Sequence, residues 1–204
     1  EAMEIRKNHL APKVLTGKEK RICIVTGTHG DELEGQYVCY EIIRRINENP
    51  SCLKGIVDVY PATNPLGVDC MTRGVPMFDL DLNRIFPGNE HGHMAEYAAS
   101  KIIEDIAGAD VCIDIHASNV FLREIPQVRI NEQTVDTLLP LAKELNVDYI
   151  WIHAAATVLE STLAYSLNVR NTPTLVVEMG VGLRITEAFC HQLTDGIFHL
   201  MAQL

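Results

Sequence analysis

The sequence lacks the features that would place the protein in a membrane or on nucleic acid. No apolar run approaches the roughly 18 residues needed to span a bilayer, and the polar start does not resemble a secretory signal. No run of lysine or arginine is present, and the formal net charge is -10. Because nucleic acids and anionic membranes are bound through basic patches, we expect neither as a partner.

Cysteine pairs at the C-x-x-C spacing are also missing. The six cysteines are scattered, and several lie in apolar runs typical of buried strands: Cys23, Cys39, Cys52, Cys70, Cys112 and Cys190. We therefore predict reduced, mostly structural thiols in a soluble, cytoplasmic protein.

Short apolar runs alternate with helix-like segments along the 204 residues. Runs rich in β-branched residues predict buried strands at Ile22 to Thr26, Ile56 to Tyr60, Val111 to Ile115, Tyr149 to Ile152 and Thr174 to Val177. Apolar residues at three- and four-residue spacing predict helices at Leu33 to Asn47, Met94 to Ile106, Val135 to Leu145, Val158 to Leu167 and Ile185 to Leu204. The alternation favours an α/β fold in one domain, residues 1–204, with a largely parallel sheet covered on both faces.

A candidate metal site lies where the first of these strands ends. The segment Ile22 to Gly35 runs through a glycine turn into a helix, at the edge where open α/β sheets bind ligands. His29 and Glu32 lie three residues apart, and imidazole and carboxylate groups are usual ligands of catalytic zinc. Phosphate-loop and dinucleotide fingerprints fail, because no lysine follows the glycines and Gly27 and Gly30 do not form G-x-G-x-x-G. The pair also fits a polar turn that caps a helix.

The strand at Val111 to Ile115 also carries ionisable groups near its carboxyl end. Asp114 and His116 are two residues apart, so they lie on the same face of the strand. Because ionisable groups are costly to bury unless paired or coordinated, we predict His116 as the third metal ligand. Asp114 could hold that histidine in the correct tautomer. Alternatively, both side chains satisfy backbone groups of a loop.

Glu178 follows the apolar run of the last predicted strand and precedes a glycine turn. Hydrolysis at a metal needs a base that takes a proton from water and returns it to the leaving nitrogen, and a carboxylate in a dry cleft suits both steps. We predict Glu178 in that role, the alternative being a cap or salt bridge to a neighbouring loop.

The segment from Pro61 to Pro87 is too long for an ordinary connector, and loops of this length are usually functional. It contains Arg73 and Arg84 among residues that favour turns. Arginine suits bidentate carboxylate binding and stabilises a developing oxyanion. Each could be an ordinary solvated charge, but two of them in this loop of an acidic protein favour an anionic substrate.

The motifs G-T-H-G-D-E, N-P, T-R-G, D-L-N-R-x-F-P-G, D-I-H and V-E-M-G follow one another between Arg21 and Gly180. In this order they resemble the succinylglutamate desuccinylase/aspartoacylase family, a branch of the zinc carboxypeptidase-like superfamily. The resemblance implies a three-layer α/β/α sandwich with a mixed central sheet and one zinc ion per chain.

The resemblance also implies roles for individual residues. The matching zinc ligands are His29, Glu32 and His116. Glu178 matches the acid/base carboxylate, Arg73 the arginine that polarises the scissile carbonyl, and Asn83 and Arg84 the pair that grips the substrate carboxylate. The expected reaction is therefore hydrolysis of an amide in a small anionic substrate, such as an N-acyl amino acid.

One departure from the family pattern bears on the substrate. Family members usually continue into a smaller β-rich domain that helps to close the active site, whereas this sequence ends shortly after Glu178. We therefore expect that domain to be absent from this chain, which is either a catalytic-domain fragment or a compact member with a more open cleft. A zinc carboxypeptidase or peptidoglycan amidase that binds peptides is one alternative. A non-catalytic metal-binding module is another, but it would close its site with four protein ligands.

Overall fold

The computed structural model describes residues 3–154 and 159–204. Seven strands in these residues form one sheet in the order β1-β3-β2-β4-β7-β5-β6. The strands are β1 (Asn8–Leu10), β2 (Arg21–Val25), β3 (Ile56–Tyr60), β4 (Val111–His116), β5 (Glu124–Asn131), β6 (Tyr149–His153) and β7 (Thr174–Gly180).

Strand direction makes the sheet mixed. The neighbouring pairs β3/β2, β2/β4 and β4/β7 are parallel. β1 is antiparallel to β3, and β5 is antiparallel to β7 but parallel to β6. The carboxyl ends of β2, β4 and β7 therefore meet at one edge of the sheet.

Helices cover both faces of the sheet. In the described residues they are α1 (Glu34–Glu48), α2 (Pro65–Cys70), α3 (Met94–Ile106), α4 (Val135–Ala142), α5 (Leu163–Asn168) and α6 (Glu187–Gln203). One core contains side chains from α1, α4 and α6, and a second contains side chains from α3 and α5. The predicted three-layer α/β/α sandwich with a mixed sheet is confirmed.

The central strands contribute to both cores. Ile22 and Ile24 of β2 lie in the core beneath α1 and α6, whereas Cys23 and Val25 lie in the core beneath α3. Successive strand residues point to opposite faces, and both faces are covered. This explains why β2 is apolar without alternation from Ile22 to Val25.

The five predicted strands are present, with bounds shifted by at most a few residues. β1 and β5 were not predicted, and the segment Pro61 to Pro87 contains the unpredicted helix α2. The helix predicted at Val158 to Leu167 begins only at Leu163 and ends at Asn168, while Val158 lies outside the described residues.

Two other helices have bounds that differ from the prediction. The predicted Val135 to Leu145 helix ends at Ala142 and continues as a 3₁₀ turn, Lys143–Leu145. The last helix begins at Glu187, two residues after the predicted Ile185. None of the helices in the described ranges has both the length and the apolar character that a membrane crossing requires.

The long segment after β3 is anchored against the turn that follows β2. The Asn64 side chain accepts a hydrogen bond from Gly67 N at 3.0 Å and donates one to Gly74 O at 3.0 Å. Gly30 and Gly67 approach so closely that a Cβ on Gly30 would lie 2.0 Å from the Gly67 backbone. These contacts hold the segment beside the carboxyl end of β2.

Candidate active site

The three predicted metal ligands converge at the carboxyl edge of the sheet. His29 and Glu32 lie in the turn between β2 and α1, and His116 is the last residue of the adjacent parallel strand β4. One ligand atom from each lies within 4.8 Å of the others. All three residues are buried, with exposures of 4%, 5% and 4%.

Glu32 lies between the two imidazoles. His29 Nδ1 is 2.8 Å from Glu32 Oε1, and His116 Nδ1 is 3.1 Å from Glu32 Oε2. The backbone N–H of Ala117 donates to Glu32 Oε2 at 3.0 Å. The Nδ1 atoms of both histidines therefore face the Glu32 carboxylate.

The other nitrogen of each imidazole faces a second carboxylate. His116 Nε2 lies 3.0 Å from Asp114 Oδ2, and His29 Nε2 lies 2.9 Å from Asp81 Oδ1. Carboxylates in this position fix the tautomer of a ligand histidine and raise its basicity. The predicted Asp114 lies where that role requires it. The corresponding residue for His29, Asp81, was not predicted, although it belongs to the D-L-N-R motif that also contains Asn83 and Arg84.

The electrostatics of this cluster favour positive charge. Burial lowers the pKa of His116, but Asp114 and Glu32 outweigh it and hold that pKa well above its usual value. Burial also lowers the pKa of His29, and Asp81 and Glu32 reverse the effect. Burial raises the pKa of Glu32, yet its hydrogen bonds to both histidines lower that pKa to about 2. A divalent cation on the Nδ1 atoms and Glu32 would supply the positive charge that the carboxylates favour, and the nitrogen/oxygen donor set fits zinc.

Glu178 lies beside this cluster on β7. Its Cα is paired with that of His116 across the β4/β7 ladder. The side chain is only 17% exposed. Its pKa is raised to about 7, chiefly by burial and also by Glu32, while His116 and Arg129 lower it. A carboxyl group with such a pKa can accept and release a proton near neutral pH.

Arg73 lies at the rim and contacts both acidic partners of His29. Its Nη1 is 3.5 Å from Glu32 Oε1, and its Nη2 is 3.2 Å from Asp81 Oδ2. The side chain is 49% exposed, so it can also reach a ligand in the cleft.

Asn83 and Arg84 belong to a 3₁₀ turn, Leu82–Arg84, in the same long segment as Arg73. Asn83 Oδ1 accepts a hydrogen bond from Leu163 N at 3.0 Å, which fixes the orientation of the amide. Arg84 Nη1 donates to the Asn83 carbonyl oxygen at 2.9 Å. Both residues line the cleft that contains the candidate metal ligands.

A single cleft of about 580 Å³ joins these groups. All eight predicted site residues line it: His29, Glu32, Arg73, Asn83, Arg84, Asp114, His116 and Glu178. Arg129 of β5 lines the same cleft and was not predicted. The alternation Gln127-Val-Arg-Ile-Asn131 is the signal that could have found it, since it is typical of a strand with one open face.

Glu34, at the start of α1, links this helix to the segment that follows β7. This fully buried carboxylate of α1 accepts hydrogen bonds from Thr186 N at 2.7 Å and Thr186 Oγ1 at 3.0 Å. Gly180, with φ of +74°, lies so close that a Cβ would meet Glu34 Oε1 at 1.9 Å. The end of β7, next to Glu178, is therefore fixed against the helix that follows Glu32.

The fold and the site define an α/β protein with a candidate metal centre and a buried carboxylate of raised pKa at the carboxyl edge of its sheet. The family model of the succinylglutamate desuccinylase/aspartoacylase catalytic domain matches residues 18–204. The chain belongs to this family, whose members are amide-bond deacylases. The resemblance inferred from the motifs is confirmed.

A curated relative is the N-alpha-acetyl-L-2,4-diaminobutyric acid deacetylase of Halomonas elongata. It is 29% identical over 114 residues, which are 55% of this chain and 33% of the relative.

Solved structures share the fold. A succinylglutamate desuccinylase/aspartoacylase from Rhodobacter sphaeroides superposes with a TM-score of 0.80 at 23% identity, over 91% of this chain and 55% of that protein. The ectoine utilization protein EutE (DoeB) from Ruegeria pomeroyi gives a TM-score of 0.80 at 20% identity, over 91% and 57%. The chain thus spans a little over half the length of these structures.

Proposed function

We propose that residues 1–204 form the catalytic domain of a zinc-dependent hydrolase that cleaves an amide bond in a small carboxylate-bearing substrate, as an N-acyl amino acid deacylase does. The observation that carries the proposal is the convergence of three buried ligand groups within 4.8 Å, in a cleft also lined by Glu178, Arg73 and Arg84. The six free cysteines favour a cytoplasmic location.

His29, Glu32 and His116 would hold one zinc ion per chain. When bound, zinc supplies a Lewis acid that makes water more acidic and polarises a carbonyl group. Catalytic zinc sites typically use three protein ligands and structural sites four. In the described part of the chain the ligand cluster contains three residues, which favours catalysis over a non-catalytic metal-binding module.

Glu178 is the proposed proton carrier. Its carboxylate takes a proton from the attacking water and later gives it to the leaving amine nitrogen, so one group serves both halves of the reaction. A pKa raised to about 7 by burial suits this exchange, because both protonation states are accessible near neutral pH.

The arginines of the cleft favour an anionic substrate. Arg73, half exposed and next to Glu32, provides positive charge for the oxyanion that develops at the carbonyl. Asn83 and Arg84 provide N–H donors for a substrate carboxylate, which arginine binds through two parallel hydrogen bonds. These contacts would hold the amide carbonyl near the metal centre.

The test compares wild type with Glu178→Gln, both loaded with zinc, on a panel of amides. The panel contains N-acetyl-L-2,4-diaminobutyric acid, N-succinyl-L-glutamate, N-acetyl-L-aspartate and a tripeptide, with release of the free amine as the readout. We expect wild type to hydrolyse at least one acyl amino acid. Glu178→Gln should retain its zinc and lose activity by about 10²- to 10⁴-fold.

Other outcomes would discriminate the alternatives. Hydrolysis of the tripeptide alone would favour the peptidase. A zinc-loaded wild type that hydrolyses no member of the panel would favour the non-catalytic module. Full activity in Glu178→Gln would remove Glu178 from the mechanism.

A further inference from the structure

Arg129 is a partly buried arginine that lines the cleft, and the proposed mechanism does not use it. It lies on β5, where its Cα is paired with Val176 of β7, and Gln127 is paired with Glu178. Directly paired residues share a face of the sheet, so Arg129 and Glu178 project toward the same side. The Arg129 side chain is 28% exposed.

Three groups fix the guanidinium in place and leave one arm facing Glu178. Nη2 donates to Glu124 Oε1 at 2.7 Å, and Nε donates to Gln127 Oε1 at 3.2 Å. The guanidinium carbon lies 5.1 Å from the centre of the Trp151 ring, a distance at which a cation is attracted to an aromatic face. The remaining arm, Nη1, lies 3.6 Å from Glu178 Oε1.

The 3.6 Å separation is an ion pair without a direct hydrogen bond. Arg129 therefore attracts the Glu178 carboxylate without occupying the oxygen lone pairs that a proton acceptor needs. Arginine also keeps its charge at any ordinary pH, so the attraction is present whenever Glu178 is ionised and ready to accept a proton.

We propose that Arg129 is a positioning residue that holds the Glu178 carboxylate in the orientation for proton exchange. This inference rests on the proposed function, because it gives Arg129 a role only through Glu178. The alternative is that Arg129 binds a second anionic group of the substrate. Two carboxylates, Glu124 and Glu178, already lie within 3.6 Å of the guanidinium, and they disfavour a third anion there.

The experiment measures kcat and KM for zinc-loaded Arg129→Met and Arg129→Lys on the panel substrate that wild type hydrolyses best. Loss of orientation lowers the rate of the bound complex and leaves substrate affinity unchanged. We expect Arg129→Met to lower kcat by about 10- to 100-fold with KM within about twofold of wild type. Arg129→Lys keeps the charge and should recover part of the loss.

Arg123→Met is the matched control. Arg123 also lies over an aromatic ring, 4.9 Å from the centre of Phe189, but does not line the cleft. We expect wild-type kcat and KM from this variant. Zinc content and circular dichroism establish that each variant is folded, and if Arg129→Met does not fold, Arg129→Lys carries the test, with a smaller fall in kcat and unchanged KM.

A raised KM with unchanged kcat in the Arg129 variants would overturn the proposal and make Arg129 a substrate-binding residue. Unchanged kcat and KM would overturn it as well. The acid/base role of Glu178 and the positioning role of Arg129 can fail separately. Full activity in Glu178→Gln removes the proposed acid/base itself, whereas an inactive Glu178→Gln beside fully active Arg129 variants removes only the positioning role.

Discussion

Two clusters of buried acidic groups in this molecule satisfy their charges in different ways. In the first, Asp58 of β3 is 2% exposed and lies 2.7 Å from Arg21 Nε and 2.6 Å from His9 Nδ1. Arg21 carries a permanent charge, so this carboxylate is neutralised by the chain itself.

In the second cluster the closest partners of the carboxylates are imidazoles, which carry charge only when protonated. Glu32 contacts His29 and His116, and each imidazole contacts a further carboxylate. The permanent cation beside them, Arg73, is half exposed and 3.5 Å from Glu32. A buried acid with its own arginine stabilises the fold, whereas acids that share titratable partners in a cleft favour an added cation.

The largest contrast is expected from removing one histidine of each cluster. His116→Ala should lose bound zinc and reduce deacylation to background, because two ligands remain where a catalytic site needs three. His9→Ala, the matched control, should keep both zinc and activity. Elemental analysis of the purified variants measures the difference, and a His116→Ala protein with the zinc content of wild type would contradict the ligand assignment.

The next largest effect is expected on stability, from Asp58→Asn. Breaking a buried ion pair leaves Arg21 without its partner and should lower the free energy of unfolding by about 3 kcal/mol. Zinc content should not change, because the side chain of Asp58 contacts His9 and Arg21 and none of the predicted metal ligands. Urea unfolding of wild type and variant measures the loss. Unchanged stability would show that the Asp58 pair does not stabilise the fold.

The smallest effect is expected from the carboxylates behind the ligand histidines. Asp81→Asn and Asp114→Asn should each weaken zinc binding by about 10- to 100-fold, because a neutral amide replaces the carboxylate whose negative charge raises the basicity of the histidine. Asp105→Asn is the control. Asp105 accepts a hydrogen bond from Tyr60, which in turn accepts one from Arg21, the partner of Asp58. Competition with a chelating dye gives the affinities, and equal affinities for all three variants would break the distinction between the clusters.

The sequence predicts the sheet edge and its ligands because both follow from local rules. Apolar strands that end in ionisable residues place those residues at one edge, and the two-residue spacing of Asp114 and His116 puts both on one face. Glu178 follows in the same way, whereas His29 and Glu32 were predicted from the glycine turn that comes after the first strand. The motif order then identifies the family.

Two features of the structure were not predicted, one because it depends on long-range pairing and the other because its local pattern differs from that of the central strands. The contact between Asp81 and His29 requires the anchoring of the long segment at Asn64 and Gly67, which no local pattern reports. β5 was missed because it does not form the apolar run seen in the central strands. Its Val128 and Ile130 are buried, while Arg129 between them faces the cleft.

The proposed activity of this cleft is hydrolysis of an amide with zinc held by His29, Glu32 and His116. The most direct measurement is zinc content and deacylation of the same wild-type sample, before and after chelation and after zinc is added back. We expect about one zinc per chain, loss of hydrolysis when the metal is removed, and its return with zinc. Hydrolysis that continues undiminished in protein shown to contain no metal would contradict the claim.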